Sequence, residues 1–118
     1  MSKTILIVDD SRISRMLIRA VVAEAKPDWT VIEAESGEDA LSKVEGASFD
    51  VATLDLNMPG IDGIELAEKL KPQFPNADYS LLTANIQDVI RERATSVGIG
   101  FIEKPITEEK ILAFISPL

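Results

Sequence analysis

Five short apolar, β-rich runs recur along the chain, at residues 4–8, 29–33, 50–54, 79–83 and 100–103, with helix-like segments between them. This alternation limits the fold more than any other feature. One helical crossover between successive strands makes the strands parallel and the connections right-handed. The first, third and fourth runs are almost continuously apolar, as strands covered on both faces are.

The intervening segments carry helix signals. Ile13, Leu17, Ala20 and Val21 fall at i, i+4, i+7 and i+8, one helical stripe, and Pro27 stops that helix. Ser36 with Asp39 and Asp62 with Glu65 open the second and third helices as N-cap pairs. Asn85 and Thr107 are the caps expected for the fourth and fifth. The third helix is expected to end near Leu70, because Pro72 disfavours helical backbone at Lys71. The last helix should end near Ser116, so residues 1–118 make one domain with no linker, repeat or output domain.

Composition removes whole classes of chemistry. There is no Cys, hence no disulfide framework, thiol nucleophile or Cys-ligated metal. There is no His, hence no imidazole base and no Ser-His-Asp triad. A nucleophile must be Asp, Glu, Ser, Thr, Lys or Tyr, and a metal must be held by oxygen, which favours Mg²⁺, Mn²⁺ or Ca²⁺. The net charge of -8 argues against nucleic acid as a partner. The first apolar run is too short for a secretory or membrane-spanning segment, so no membrane insertion and a cytoplasmic location are expected.

The polar residues gather at strand ends. The first strand runs into Asp9 and Asp10, the third into Asp55, the fourth ends at Thr83, and the fifth leads to Lys104. In a parallel sheet these carboxyl ends share one rim, where open α/β sheets bind ligands. Three clustered carboxylates repel one another unless a cation sits among them. Mg²⁺ suits such a site, since it takes a few carboxylates and keeps positions open for phosphate oxygens. An ionised Asp can attack phosphorus to give an aspartyl phosphate, which an ammonium and a hydroxyl would then neutralise. Singly, each residue also fits a turn, a strand end or a solvated surface.

In its motifs the chain resembles the receiver domain of two-component response regulators, especially the stand-alone chemotaxis type. The matching stretches are Ile-Leu-Ile-Val-Asp9-Asp10-Ser, Asp55-Leu-Asn-Met58-Pro59-Gly60-Ile-Asp-Gly63, Leu-Thr83-Ala84 and Phe101-Ile-Glu-Lys104-Pro105. The resemblance implies a flavodoxin-like (βα)5 three-layer sandwich with a five-stranded parallel sheet in order 2-1-3-4-5. It implies Asp55 as phosphoacceptor, with Mg²⁺ (or Mn²⁺) held by Asp10, Asp55 and the backbone carbonyl of Asn57, and by Asp9 largely through water. Lys104 would bind a phosphoryl oxygen, Thr83 and Phe101 would be the switch residues, and Lys104-Pro105 would be a cis peptide.

The implied partners are a sensor histidine kinase or phosphotransfer protein and a downstream protein target read through the fourth helix, fifth strand and fifth helix. A monomer is expected, and the resemblance implies a domain that assists only its own phosphorylation and dephosphorylation rather than acting as an enzyme. Arg12, Arg15 and Arg19 form a basic stripe on the first helix, either a solvated face or a kinase-docking face. Three alternatives remain beside this reading. A phosphorelay intermediate would use the same residues. A haloacid-dehalogenase-like aspartyl phosphatase would want Asp where Asn57 stands. A flavodoxin-like electron carrier would want a phosphate-binding loop where Asp9 and Asp10 stand.

Overall fold

A computed structural model describes residues 2–118. The elements alternate as read: β1 (Thr4–Val8), α1 (Arg12–Ala25), β2 (Thr30–Ala34), α2 (Gly37–Lys43), β3 (Val51–Asp55), α3 (Gly63–Leu70), β4 (Asp78–Thr83), α4 (Asp88–Val97), β5 (Gly100–Glu103) and α5 (Glu108–Ile115). All strand pairs are parallel. The order is β2-β1-β3-β4-β5, the flavodoxin-like arrangement.

That order places the helices. The crossover from β1 leads outward to β2, and every later one leads the opposite way. Right-handed connections therefore put the helices on opposite faces of the sheet. Strand residues alternate between the two cores. Leu6, Val8, Ala52, Leu54 and Leu81 pack with Ile64, Ala67, Leu70 and Ala94 on the α2–α3–α4 side. Ile5, Ile7, Val51 and Leu82 pack with Ile18, Val22, Ile111 and Ile115 on the α1–α5 side. The order reverses between β1 and β3, which opens a crevice at the carboxyl end of those strands.

Local details depart from the sequence reading. β2 and β3 each lie one residue further along than expected, because pairing with β1 sets the register: Thr4 faces Thr30 and Ile5 faces Val51. α1 packs on Ile18, Val21 and Val22, while Ile13 is 79% exposed. Its apolar arc is wider than the face the sheet covers, and the sheet takes the side away from Ile13 and Leu17. α4 begins at Asp88 with Gln87 at the cap and no side-chain cap bond. Asn85 instead closes its own turn, its Oδ1 accepting from the Gln87 N–H at 3.0 Å. α3 does end at Leu70, yet Lys71 keeps helical dihedrals of -55° and -41°, so Pro72 does not act by the expected route. The Asp62–Glu65 capping box is complete, and the Ser36 and Thr107 side chains cap α2 and α5.

Candidate functional site

Each polar residue of the rim is delivered by its own strand. β1 ends one residue before Asp9, β3 ends on Asp55, β4 ends on Thr83, and Lys104 follows β5. Carboxylate oxygens of Asp9, Asp10 and Asp55 all lie within 4.8 Å of one another. Lys104 Nζ donates to Asp55 Oδ1 at 2.7 Å. The Lys104–Pro105 peptide is cis. β3–β4 pairing continues past Asp55, with the Leu56 N–H donating to the Leu82 carbonyl at 3.0 Å. α3 starts hard against the same strand end: a Cβ at Gly63 would stand 2.5 Å from the Asp55 carbonyl oxygen. Gly63 has no side chain because the strand end occupies that space. Gly60 takes a φ of 82° in the intervening loop, backbone that a Cβ disfavours.

The electrostatics are those of a cation trap. Asp9 is buried, and its carboxyl pKa is raised from the ordinary 3.8 to about 6. Burial is the main cause, opposed by a hydrogen bond from the Ser11 N–H and reinforced by the Asp55 charge. Burial also raises Asp55, against the Lys104 ammonium paired with it. Asp9 Oδ1 accepts from the Ser11 N–H at 2.8 Å, whereas its buried Oδ2 has no partner among the described residues. A buried carboxylate with one oxygen lacking a donor, clustered with two further carboxylates, fits a hard divalent cation held by oxygen.

Thr83 is buried and turned toward its own loop. Its Oγ1 accepts from the Asn85 N–H at 2.9 Å and donates to the Asn85 carbonyl at 3.1 Å. Phe101 is 39% exposed, with the Arg91 guanidinium 5.3 Å from its ring centroid. The arginine stripe is divided. Arg15 Nε and Arg19 Nη1 both reach Glu33, at 3.3 and 2.6 Å, and Arg15 Nη1 also donates to the Asp9 carbonyl at 2.6 Å. Arg12 is exposed. Two neighbours of the site escaped the sequence reading. Ser11 caps α1 and binds Asp9, which a cap-type residue right after Asp9-Asp10 could have signalled. Glu33 lies 18 residues from Arg15, and no local pattern links them.

An acidic cluster with one lysine against it thus sits at the switch point of a parallel α/β sheet, the arrangement of the receiver class. The model of the response regulator receiver domain matches residues 5–116. This chain therefore belongs to the response regulator receiver domain family of two-component signalling. It is 33% identical over 110 residues to the chemotaxis protein CheY of Listeria monocytogenes, covering 92% of this chain and 91% of that protein. It is 35% identical over 117 residues to the cyclic di-GMP phosphodiesterase response regulator RpfG of Xanthomonas campestris, covering 97% of this chain but only 31% of RpfG. The structure of Vibrio cholerae CheY4 superposes with a TM-score of 0.90 at 28% identity, covering 99% of this chain and 98% of that one. Family membership sets aside the phosphatase and electron-carrier alternatives. No helix among the described residues is long and apolar enough to cross a membrane.

Proposed function

We propose that the domain is a phosphorylation-driven switch whose phosphoacceptor is Asp55. The observation that carries this is the 2.7 Å contact of Lys104 with Asp55 inside a cluster of three carboxylates. An Asp55 carboxylate oxygen attacks the phosphorus of a partner's phosphohistidine. The new O–P bond replaces the P–N bond, and the imidazole leaves with the electron pair. These 118 residues contain no His, so they do not themselves supply the donor. Asp10, Asp55 and the Asn57 carbonyl, with Asp9 behind them through water, would hold Mg²⁺, which when bound neutralises charge on the transferring phosphoryl group. Lys104 is already beside the attacking carboxylate and takes one phosphoryl oxygen.

The product is a dianion where a carboxylate stood. It competes with the Asn85 backbone for the Thr83 hydroxyl, and the loop between β4 and α4 follows. Phe101 on β5 repacks with that loop, so the α4–β5–α5 surface presents a different face to a protein target. Moving a two-state surface from 1:99 to 99:1 requires about 5.5 kcal/mol of preference. Of the arginines, Arg12 best suits a kinase-docking role, since Glu33 holds the other two.

Incubation with acetyl phosphate and Mg²⁺, followed by intact mass measurement, tests the assignment. One phosphoryl group is expected on the wild type and none on Asp55→Asn. Labelling that persists in the variant places the acceptor elsewhere.

A further inference from the structure

Asp9 is tied down at every backbone polar group. Its N–H donates to the Ala34 carbonyl of β2 at 3.1 Å. Its carbonyl accepts from Arg15 Nη1 at 2.6 Å. That carbonyl is half of the peptide joining Asp9 to Asp10, so whatever orients it also sets the direction in which Asp10 leaves the strand. Asp10 itself is exposed, and its side chain has no hydrogen-bond partner among the described residues to hold it.

The group that orients this peptide is itself held. Arg15 Nε meets Glu33 Oε1 at 3.3 Å, and only 15% of the Arg15 side chain is exposed. Glu33 is fixed in turn by Arg19 at its other oxygen, 2.6 Å away, and by Lys43 Nζ at its backbone carbonyl, also at 2.6 Å. Different edges of one planar guanidinium thus bridge β2 and the loop after β1. A lysine ammonium has no such fixed fork.

We infer that Arg15, buttressed by Glu33, is a positioning residue that clamps the Asp9–Asp10 peptide so that both carboxylates face Asp55. This rests on the metal-site reading above. Coulomb's law and positioning oppose each other here. A guanidinium near a cation site repels the cation, so loss of charge alone would tighten Mg²⁺ binding. Loss of an orienting neighbour weakens it, by about 10–100-fold for outer partners of metal ligands.

The test uses calorimetric Mg²⁺ titration and, without metal, amide hydrogen exchange at Asp9 and Ser11, whose N–H groups are both hydrogen-bonded. Arg15→Gln is expected to bind Mg²⁺ roughly 10-fold more weakly, with faster exchange at both amides. Arg15→Lys should not restore the affinity, and Glu33→Gln should give a smaller loss that adds little to Arg15→Gln. Arg19→Gln, which leaves the contacts of Arg15 with Asp9 and Glu33 intact and removes only one hold on Glu33, should lose less affinity than Glu33→Gln. Unchanged or tighter binding by Arg15→Gln, or full rescue by Arg15→Lys, overturns the clamp. Absence of Mg²⁺ binding by the wild type refutes the metal reading instead. The exchange rates then decide the clamp alone, with unchanged rates overturning it. Should Arg15→Gln not fold, Glu33→Gln carries both measurements by the same criteria.

Discussion

Replacing Asp9 by Asn should make the metal-free protein more stable. The Asp9 carboxyl pKa rises from 3.8 to about 6 on folding, mainly through burial, with the Asp55 charge adding to it. At 1.36 kcal/mol per unit, keeping this group ionised at neutral pH costs about 3 kcal/mol. Asn is uncharged, has nearly the same shape, and its side-chain oxygen can keep the bond from the Ser11 N–H. Imperfect packing of the new amide reduces the gain to about 1–3 kcal/mol, a rise in Tm of roughly 4–12 °C for a domain of this size. The pH dependence has a definite sign. Between about pH 4 and 6 the native state holds a proton that the unfolded chain has lost. Wild-type stability from this group therefore falls as pH rises through that window, while the variant lacks the effect. Thermal unfolding in chelator, at about pH 4.5 and pH 7.5, should show the two proteins converging at the lower pH and separated at the higher. Trp29 packs in the α1–α5 core just before the amino end of β2, at the opposite end of the strands from the site, so its fluorescence follows unfolding. Saturating Mg²⁺ should stabilise the wild type, by about 2.7 kcal/mol at 100 times Kd, and close the gap. A variant no more stable than wild type at pH 7.5 in chelator refutes the reasoning.

Three further outcomes are expected. Burial pushes the Tyr79 phenol up to about 12. Its stabilisation is complete below about pH 10 and is lost as pH rises toward 12, about 2–3 kcal/mol in all. Phenolate absorbance reads this cleanly because the chain has one Tyr, and Tyr79→Phe should abolish that loss at a cost of about 1 kcal/mol for the bond to the Phe74 carbonyl. Thr53 is buried, with no partner for its hydroxyl among the described residues, so Thr53→Val should stabilise by about 1 kcal/mol in denaturant unfolding. Gly63→Ala would set a Cβ against the Asp55 carbonyl and Leu81. It should cost about 1–3 kcal/mol and slow labelling by acetyl phosphate, because the displaced group is the acceptor's own peptide.

The strand-helix alternation was legible because periodicity is a local property: Ile5 and Leu6 read as a two-sided strand from the sequence alone, and each meets its own core. The capping box at Asp62 was equally local. The inward face of α1 was not. Its apolar arc offers both Ile13 and Ile18, and only docking against β1 and α5 selects the second. Arg15 read as a surface charge because Glu33 and the Asp9 carbonyl come to it through the fold.

What the order of residues settled by itself was the kind of chemistry on offer: oxygen ligands and one ammonium at strand ends, with no imidazole or thiol to compete. What the tertiary structure decided was their company. Residues 9, 55 and 104 meet only because parallel strands set their carboxyl ends on one rim, bringing Lys104 to 2.7 Å from Asp55 across 49 residues of chain. The same packing buries Asp9 and leaves its second oxygen without a donor among the described residues. Desolvation depends on all the neighbours a group acquires on folding, and no stretch of sequence contains them.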